Sequence, residues 1–354
     1  FLFFPETIAP MARHPAQSLF LGAIPMAFST LTNGFVLAVA PYAVAAAGQA
    51  TARACASAAL ALYWFNVPAV ALAVLLVPWF MFTTHDQHQQ HNATALYLLP
   101  VVPACVAAGT AGTVTAAFGP PLLSPRALES VLVSGLALGG VGLLLSLQVC
   151  TIYFQRLLFF RLPPRVVIVS SFLPVGPLAM TSLALVRLGA GAEAMLMAAY
   201  ADSGAGAGAS AAASSRLSRV PPHPDALPAT DPASVPRYAA MLRAADGAGL
   251  VLALALWGFA LWWLAVAVAS VGTTLRNLAS YGLGLWAGVF PVGVLVLATA
   301  ALAQALDVPA FRGMAAALAC VHWLMWAYVM ALTLRGAWTG AGFEAPCLAE
   351  STER

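Results

Sequence analysis

The chain has 354 residues, of which 62% are hydrophobic and only 8% are charged. Soluble domains carry about a quarter charged residues, so this composition excludes a soluble globular protein and indicates a polytopic membrane protein. The formal net charge of +3 is too small, and the basic residues too dispersed, for a nucleic-acid-binding protein.

Eight apolar stretches are long enough to cross a bilayer, which takes about 20 helical residues. In chain order these spans are residues 19–40, 57–82, 94–118, 130–154, 166–186, 247–275, 280–306 and 313–334. None contains Asp, Glu or Arg within these boundaries, as expected when a charge at the bilayer centre costs about 3 kcal/mol. Most connections are short, so neighbouring spans are predicted to pair as antiparallel hairpins in a single transmembrane domain, residues 1–340.

One connection differs from the others in length and composition. Residues 188–246 are rich in Ala, Gly, Ser and Pro, which predicts a long flexible loop because such a segment cannot bury enough apolar surface. Residues 341–354 are predicted to form a C-terminal tail. The chain begins at Phe1 with FLFFPET, which is neither a signal peptide nor a usual start. We therefore expect the sequence to be truncated at its N-terminus.

Prolines recur at a regular spacing in the odd-numbered spans. Pro25, Pro100 and Pro174 are 75 and 74 residues apart, and Pro291 follows in span 7. Spans 4, 6 and 8 contain no proline, while span 2 is an exception with two. This spacing predicts a two-helix unit repeated four times, with its odd helix broken by proline. The alternative is that Pro and Gly are simply common in membrane helices.

A broken helix leaves backbone polar groups unpaired, and lipid cannot satisfy them. Such breaks are tolerated where they are buried in protein or line a watery cavity, so the odd spans are predicted to form an inner ring around a pathway. Small, hydroxyl and amide residues accompany the breaks. The residues predicted to line the pathway are Pro25, Ser29, Thr30, Asn33, Pro100, Pro103, Gly109, Thr113, Pro174, Gly176, Pro177, Thr181, Gly288 and Gly293.

A pathway without fixed charge suits anions when helix N-termini and hydroxyl groups supply a partial positive potential. It holds anions weakly, which permits fast passage. Phe290 lies beside Pro291 at the break of span 7, between Gly288 and Gly293. We predict that Phe290 and Pro291 form a gate in which the aromatic ring plugs the pathway. The alternative is an ordinary core phenylalanine.

Other chemistry finds little support in the sequence. The run HDQHQQH, residues 85–91, has a histidine spacing that could hold a metal, but it also fits a polar connection between two spans. Neither a metal site nor a cofactor is predicted. His322, in the last span, is interpreted as packed among aromatic residues. The spans contain no Ser-His-Asp set, phosphate-binding loop or paired carboxylates, so the chain is not predicted to be an enzyme.

Four segments carry a family resemblance: HPAQSLFLGAIPMAFSTLTN (14–33), ALYLLPVVP (95–103), TIYFQRLLFFRLPPRVVIVSSFLPVGPL (151–178) and LWAGVFPVG (285–293). They resemble the tellurite-resistance/dicarboxylate transporter family, which includes plant slow anion channels, fungal malic acid transporters and fungal sulfite efflux pumps. The likeness covers nearly the whole chain apart from the long loop and is strongest to the sulfite pumps. The chain departs from those pumps at Ala179, Met180 and Thr181, where they carry Gly-Gln-Gly.

The resemblance implies an all-α integral membrane protein with ten helices in five hairpins around a central pore, usually as a homotrimer. The eight spans would be helices three to ten, with the first hairpin missing. Family members place a pore-plugging phenylalanine on the ninth helix, and Phe290 matches that position. The resemblance also implies a plasma-membrane transporter whose partners are the lipid bilayer and small anions. Sulfite efflux is the leading interpretation, and the alternatives are transport of malate or another C4-dicarboxylate and an anion channel of the same family.

Overall fold

The computed structural model describes residues 14–15, 17–45, 48–84, 93–120, 122–202, 234–273 and 283–340. Within these residues there are eight α-helices and no strand. They are α1 Ala23–Ala45, α2 Gln49–Thr83, α3 Val102–Ala117, α4 Pro125–Phe160, α5 Val175–Asp202, α6 Ser234–Gly272, α7 Trp286–Leu306 and α8 Pro309–Thr339. The predicted all-α membrane fold is confirmed, with one helix for each predicted span.

Each odd-numbered helix is preceded by a short 3-10 segment, whereas each even-numbered helix is continuous. The 3-10 segments are Ser18–Gly22, Ala95–Leu98, Arg165–Phe172 and Leu283–Leu285. The even helices run without a break for 31 to 39 residues. The predicted alternation is therefore present as 3-10 starts of the odd helices in the described part of the chain, but α1 and α7 continue through Pro25 and Pro291, where breaks were predicted.

The prolines cluster where the 3-10 segments pass into α-helix. Pro100 and Pro174 lie in the turns between the two, and Pro103 and Pro177 lie in the first turns of α3 and α5. Pro291 lies within the first two turns of α7. Proline has the φ angle of a helix but no N–H to donate, so it is best tolerated near a helix start, where that N–H would lack a partner.

The 3-10 geometry also restores hydrogen bonds that the prolines remove. Pro100 has no N–H to donate to the carbonyl of Leu96, which instead accepts from the backbone N of Leu99 at 2.9 Å. The same exchange occurs at Pro174. A tighter turn thus keeps the backbone paired where lipid could not satisfy it.

Seven of the described helices are long and apolar enough to cross a membrane. The exception is α3, which has only 16 residues because its prolines interrupt the predicted span 94–118. The 3-10 segment Ala95–Leu98 and the turn that follows it occupy most of the remainder of that span. The short length of α3 is thus a consequence of the break. The 3-10 segment and α3 together still make up the third predicted membrane span.

The predicted loop at residues 188–246 is too long. Helix α5 continues through Asp202 and α6 begins at Ser234, so helix occupies both ends of this stretch. The residues after 188 are rich in Ala, which has the highest helix propensity, and this preference outweighs the low complexity on which the loop was predicted. Residues 1–13, 203–233 and 341–354 lie outside the described residues.

The helices form an inner arc covered by outer helices. Within the most apolar stretch of each helix, 89% of residues are buried in α5 and 56% in α7, against 28% in α4 and 6% in α8. Nearly every residue of α3 is buried. The inner helices pack in the order α1, α3, α5, α7, with α1 at the more exposed end of the arc. Helices α3, α5 and α7 therefore lie inside, as predicted, whereas α1 is buried to the same extent as the even helix α2, at 33% each.

Glycines on α4 allow it to lie close against α3. A Cβ atom placed on Gly135 would be 2.6 Å from the Cβ atom of Ala111, and one on Gly142 would be 2.7 Å from the backbone N of Cys105. Both distances are well below van der Waals contact. Helix association in lipid relies on such close packing of small residues, so these glycines hold an outer helix onto the inner arc.

Candidate functional site

The broken starts of the inner helices contact one another in pairs. Gly22, just before α1, lies against the backbone of Leu99 and Pro100 at the break of α3. Gly176, at the start of α5, lies beside α7, and a Cβ atom placed on it would be 3.8 Å from Cγ of Pro291. Glycine is therefore the residue at which each pair of breaks meets.

The 3-10 segments also contact each other along the arc. Ala95–Leu98 contacts Arg165–Phe172, which in turn contacts Leu283–Leu285. The inner helices run in the same direction, because one antiparallel outer helix follows each of them in the chain. The four inner α-helices therefore point in the same direction, and they start at about the same height along the axis of the bundle. A helix N-terminus carries about half a positive charge, so this level favours anions without any charged side chain.

Phe290 lies at the level of the breaks. Its side chain is half-buried and packs against the main hydrophobic core. A Cβ atom placed on Gly176 would be 4.0 Å from Cε1 of Phe290, so the edge of the ring lies over the start of α5. Phe290 and Pro291 therefore both lie beside the start of α5 at this point.

Asn66 of α2 binds the start of α1. Its Nδ2 group donates to the carbonyl of Pro25 at 3.0 Å and to Oγ of Ser29 at 2.8 Å. Both Asn66 and Ser29 are buried, and the Ser29 hydroxyl faces this outer helix. The sequence reasoning missed Asn66; the available signal was a single amide in an otherwise apolar even span.

Three threonines predicted to line the pathway use their hydroxyl hydrogens within their own helix. Thr30, Thr113 and Thr181 each donate to the carbonyl four residues earlier, at 2.8 to 2.9 Å. Thr113 and Thr181 are buried, whereas Thr30 is exposed. In this arrangement these hydroxyls can accept hydrogen bonds but have no hydrogen left to donate to an anion. Asn33, by contrast, has a buried Oδ1 atom without a partner in the described part of the chain.

Three glycines of the predicted lining are sites of helix packing. A Cβ atom on Gly109 would be 2.5 Å from Sδ of Met180, and one on Gly293 would be 2.8 Å from Cε1 of His322. Gly288 contacts side chains of α8 and of the 3-10 segment before α5. The ring of His322 thus packs onto α7, in agreement with its interpretation as a packed histidine.

The inner helices are not free of charge, contrary to the prediction. The apolar span of α5 runs to Ala198, so it includes Arg187 and Glu193. The predicted span stopped at residue 186 because an arginine was treated as a boundary. Arg187 is half-buried beside α3 and Glu193 is exposed. A cation is therefore present on the most enclosed helix of the described bundle.

No group of three or more His, Cys, Asp or Glu residues that could hold a metal ion occurs within the described residues. The histidine-containing run at residues 85–91 lies outside them, so its interpretation as a polar connection stays a prediction.

Comparison with known proteins agrees with this architecture. The sequence profile of the voltage-dependent anion channel family matches residues 1–334. The chain belongs to this family. The sulfite efflux pump SSU1 of Trichophyton rubrum is 30% identical over 330 residues, which cover 93% of this chain and 74% of that protein. The sulfite efflux pump SSU1 of Arthroderma benhamiae matches with the same identity and the same coverage. No solved structure matches the chain significantly.

Membership of the voltage-dependent anion channel family confirms the resemblance found in the four sequence segments. The family and the relatives are named for the passage or export of anions, so the chain is a membrane transport protein and not an enzyme. The seven long apolar helices agree with a multi-pass protein of this kind.

Proposed function

We propose that the protein is a plasma-membrane transporter that exports sulfite. The observation that carries the proposal is the meeting of the broken inner helices at the level of Phe290. Two relatives that are named sulfite efflux pumps and share 30% identity with the chain support sulfite as the anion. Anions would pass along the inner face of the arc, past the breaks marked by Pro25, Pro100, Pro174 and Pro291.

Phe290 is the proposed gate of this pathway. Pro291 restricts the backbone at the start of α7, and the ring lies beside Gly176 at the start of α5. An apolar ring across a narrow passage closes it by blocking or by expelling water. Opening then requires the ring to rotate or the start of α7 to shift, so the ring limits anion flux.

The proposal includes assembly as a homotrimer in which each protomer has its own pathway. Its support is the resemblance to a family whose members are usually trimers. Light scattering of the purified complex, corrected for bound detergent, is expected to give three times the mass of one chain. A monodisperse monomer with full transport activity would contradict this part of the proposal.

Anion flux in proteoliposomes tests the function. The full-length protein is expected to pass sulfite and to pass little malate. Phe290→Ala is expected to increase sulfite flux, because removal of the ring widens the passage. The matched control is Phe159→Ala on the outer helix α4, whose side chain is 72% exposed, and its flux should equal that of the wild type.

Three outcomes would contradict these expectations. Malate flux without sulfite flux would favour the dicarboxylate alternative. Absence of flux of either anion through correctly folded protein would overturn both. Unchanged or lower sulfite flux in folded Phe290→Ala would show that Phe290 is not the gate.

A further inference from the structure

Charged residues are confined to one of the described inner helices. Helices α1, α3 and α7 have none, whereas α5 with its 3-10 segment has Arg165, Arg187, Glu193 and Asp202. Arg165 and Glu193 are exposed and Asp202 ends the helix, but Arg187 is half-buried within the apolar span. Arg187 is thus the enclosed cation of the inner arc, as far as the structure describes it.

Arg187 has neither a hydrogen bond nor an ion pair with any described residue. Arg156 of α4 provides the contrast, since its guanidinium donates to the carbonyl of Arg161 at 2.6 Å. Taking a guanidinium partly out of water without a partner is unfavourable. No described residue accepts a hydrogen bond from the five N–H donors of Arg187.

The stem of Arg187 lies in the contact between α3 and α5. A Cβ atom placed on Gly112 would be 2.7 Å from the Cβ atom of Arg187. One turn further along, a Cβ atom on Gly191 would be 2.6 Å from Oγ1 of Thr115. Glycine on one helix or the other thus lets the two inner helices approach closely at Arg187 and at the turn after it, which fixes where the Arg187 side chain begins.

Arg187 lies on the same inner helix as Gly176, which contacts the Phe290 gate. Gly176, which contacts Phe290, is eleven residues before Arg187, and eleven residues turn an α-helix by three turns and about 20°. The two positions are separated by roughly 16 Å along the helix axis. In the proposed pathway an anion meets the level of Phe290 first and the level of Arg187 second.

We propose that Arg187 is an anion-binding residue of the pathway, located beyond the Phe290 gate toward the C-terminal end of α5. This inference rests on the proposed transport function. The ligand class is a small oxyanion, since a planar guanidinium can donate two parallel hydrogen bonds to oxygens of sulfite or of a carboxylate. Arg187 also supplies donors that the threonines on the neighbouring turns have already used. Its charge concentrates anions and repels cations at this end of the passage.

The test compares the concentration dependence of sulfite flux in proteoliposomes containing wild type, Arg187→Gln or Arg187→Lys. Arg187→Gln is expected to raise the half-saturating sulfite concentration roughly tenfold, because a charge-assisted hydrogen-bonding partner is lost. Arg187→Lys retains the charge and should stay much closer to the wild type. The matched control is Arg126→Gln at the start of α4, an exposed arginine at the same end of the bundle, which should leave the value unchanged.

The outcomes separate this inference from the proposed function. If the wild type passes neither sulfite nor malate, the proposed function fails. If the wild type passes an anion and folded Arg187→Gln has the same half-saturating concentration, the function stands and the Arg187 site is wrong. A loss of maximal flux that is equal for Gln and Lys, with no change in half-saturation, would identify a packing role and also overturn the site. If Arg187→Gln does not fold, the Arg187→Lys variant tests the site. The site requires that this variant keep a half-saturating sulfite concentration near the wild-type value and keep the selectivity for anions over cations, and loss of either would overturn it.

Discussion

Replacement of Gly22 by alanine is expected to separate the breaks of α1 and α3. The added Cβ atom would lie 2.9 Å from the carbonyl carbon of Leu99, 3.0 Å from Cα of Pro100, and closer still to the Leu99 carbonyl oxygen. Carbon atoms in contact are normally about 3.5 to 4.0 Å apart, so α1 must withdraw by roughly 0.5 to 1 Å from backbone atoms that cannot rotate away. Such overpacking costs about 1 to 3 kcal/mol of unfolding free energy.

The matched control for this substitution is Gly34→Ala in α1, the helix that directly follows Gly22. No atom lies within 4 Å of a Cβ placed on Gly34, so the alanine meets nothing. It should stabilise the helix by up to about 1 kcal/mol, because glycine has the lower helix propensity. The comparison thus isolates the contact at Gly22 from the general effect of changing glycine to alanine.

Thermal unfolding in detergent measures the difference. Nine tryptophans provide a fluorescence signal, and Gly22→Ala should melt at a clearly lower temperature than Gly34→Ala. Sulfite flux through Gly22→Ala should also fall, because the breaks no longer meet at one level. If Gly22→Ala melts at or above the temperature of the control and retains wild-type flux, the contact between the two breaks is absent and the reasoning is refuted.

Two further substitutions test other contacts between inner and outer helices. Asn66→Leu should lower the free energy of unfolding by about 1 to 3 kcal/mol, because Pro25 and Ser29 lose a buried donor; an unchanged melting temperature would show that α2 does not hold the start of α1 in this way. Gly293→Ala should cost about 1 to 3 kcal/mol by pressing on the His322 ring, and His322→Ala in the same chain should recover most of that loss. Purely additive losses in this double-mutant cycle would mean that the two residues are not in contact.

The sequence predicted the helix count and the alternation of broken and continuous helices because lipid imposes strict rules on the backbone. A segment that crosses the bilayer must be apolar and must satisfy its own hydrogen bonds, so long apolar runs and their prolines can be identified directly. The same rule predicted a break at Phe290 and Pro291, but α7 is continuous there and its 3-10 segment ends at Leu285; the gate itself stays a prediction.

The ends of the helices were predicted less well. Helix α5 was ended at residue 186 and the loop was extended to residue 246, because both limits were set by charge and composition. A charge inside a helix is tolerated when surrounding helices enclose it or when its side chain reaches a polar region. Neither situation can be recognised from the sequence of a single span. Arg187 was missed for this reason.

The sequence by itself determined that the chain is an all-α membrane protein built from repeated hairpins with breaks in alternate helices. The tertiary structure decided which side of each helix meets which neighbour: Gly176 beside Phe290, Asn66 on the start of α1, Arg187 at the contact of α3 and α5. The physical reason is that lipid and protein interior are both apolar. In a membrane helix the hydrophobic pattern therefore does not distinguish the face toward lipid from the face toward protein, and only packing against neighbours fixes the rotation of each helix.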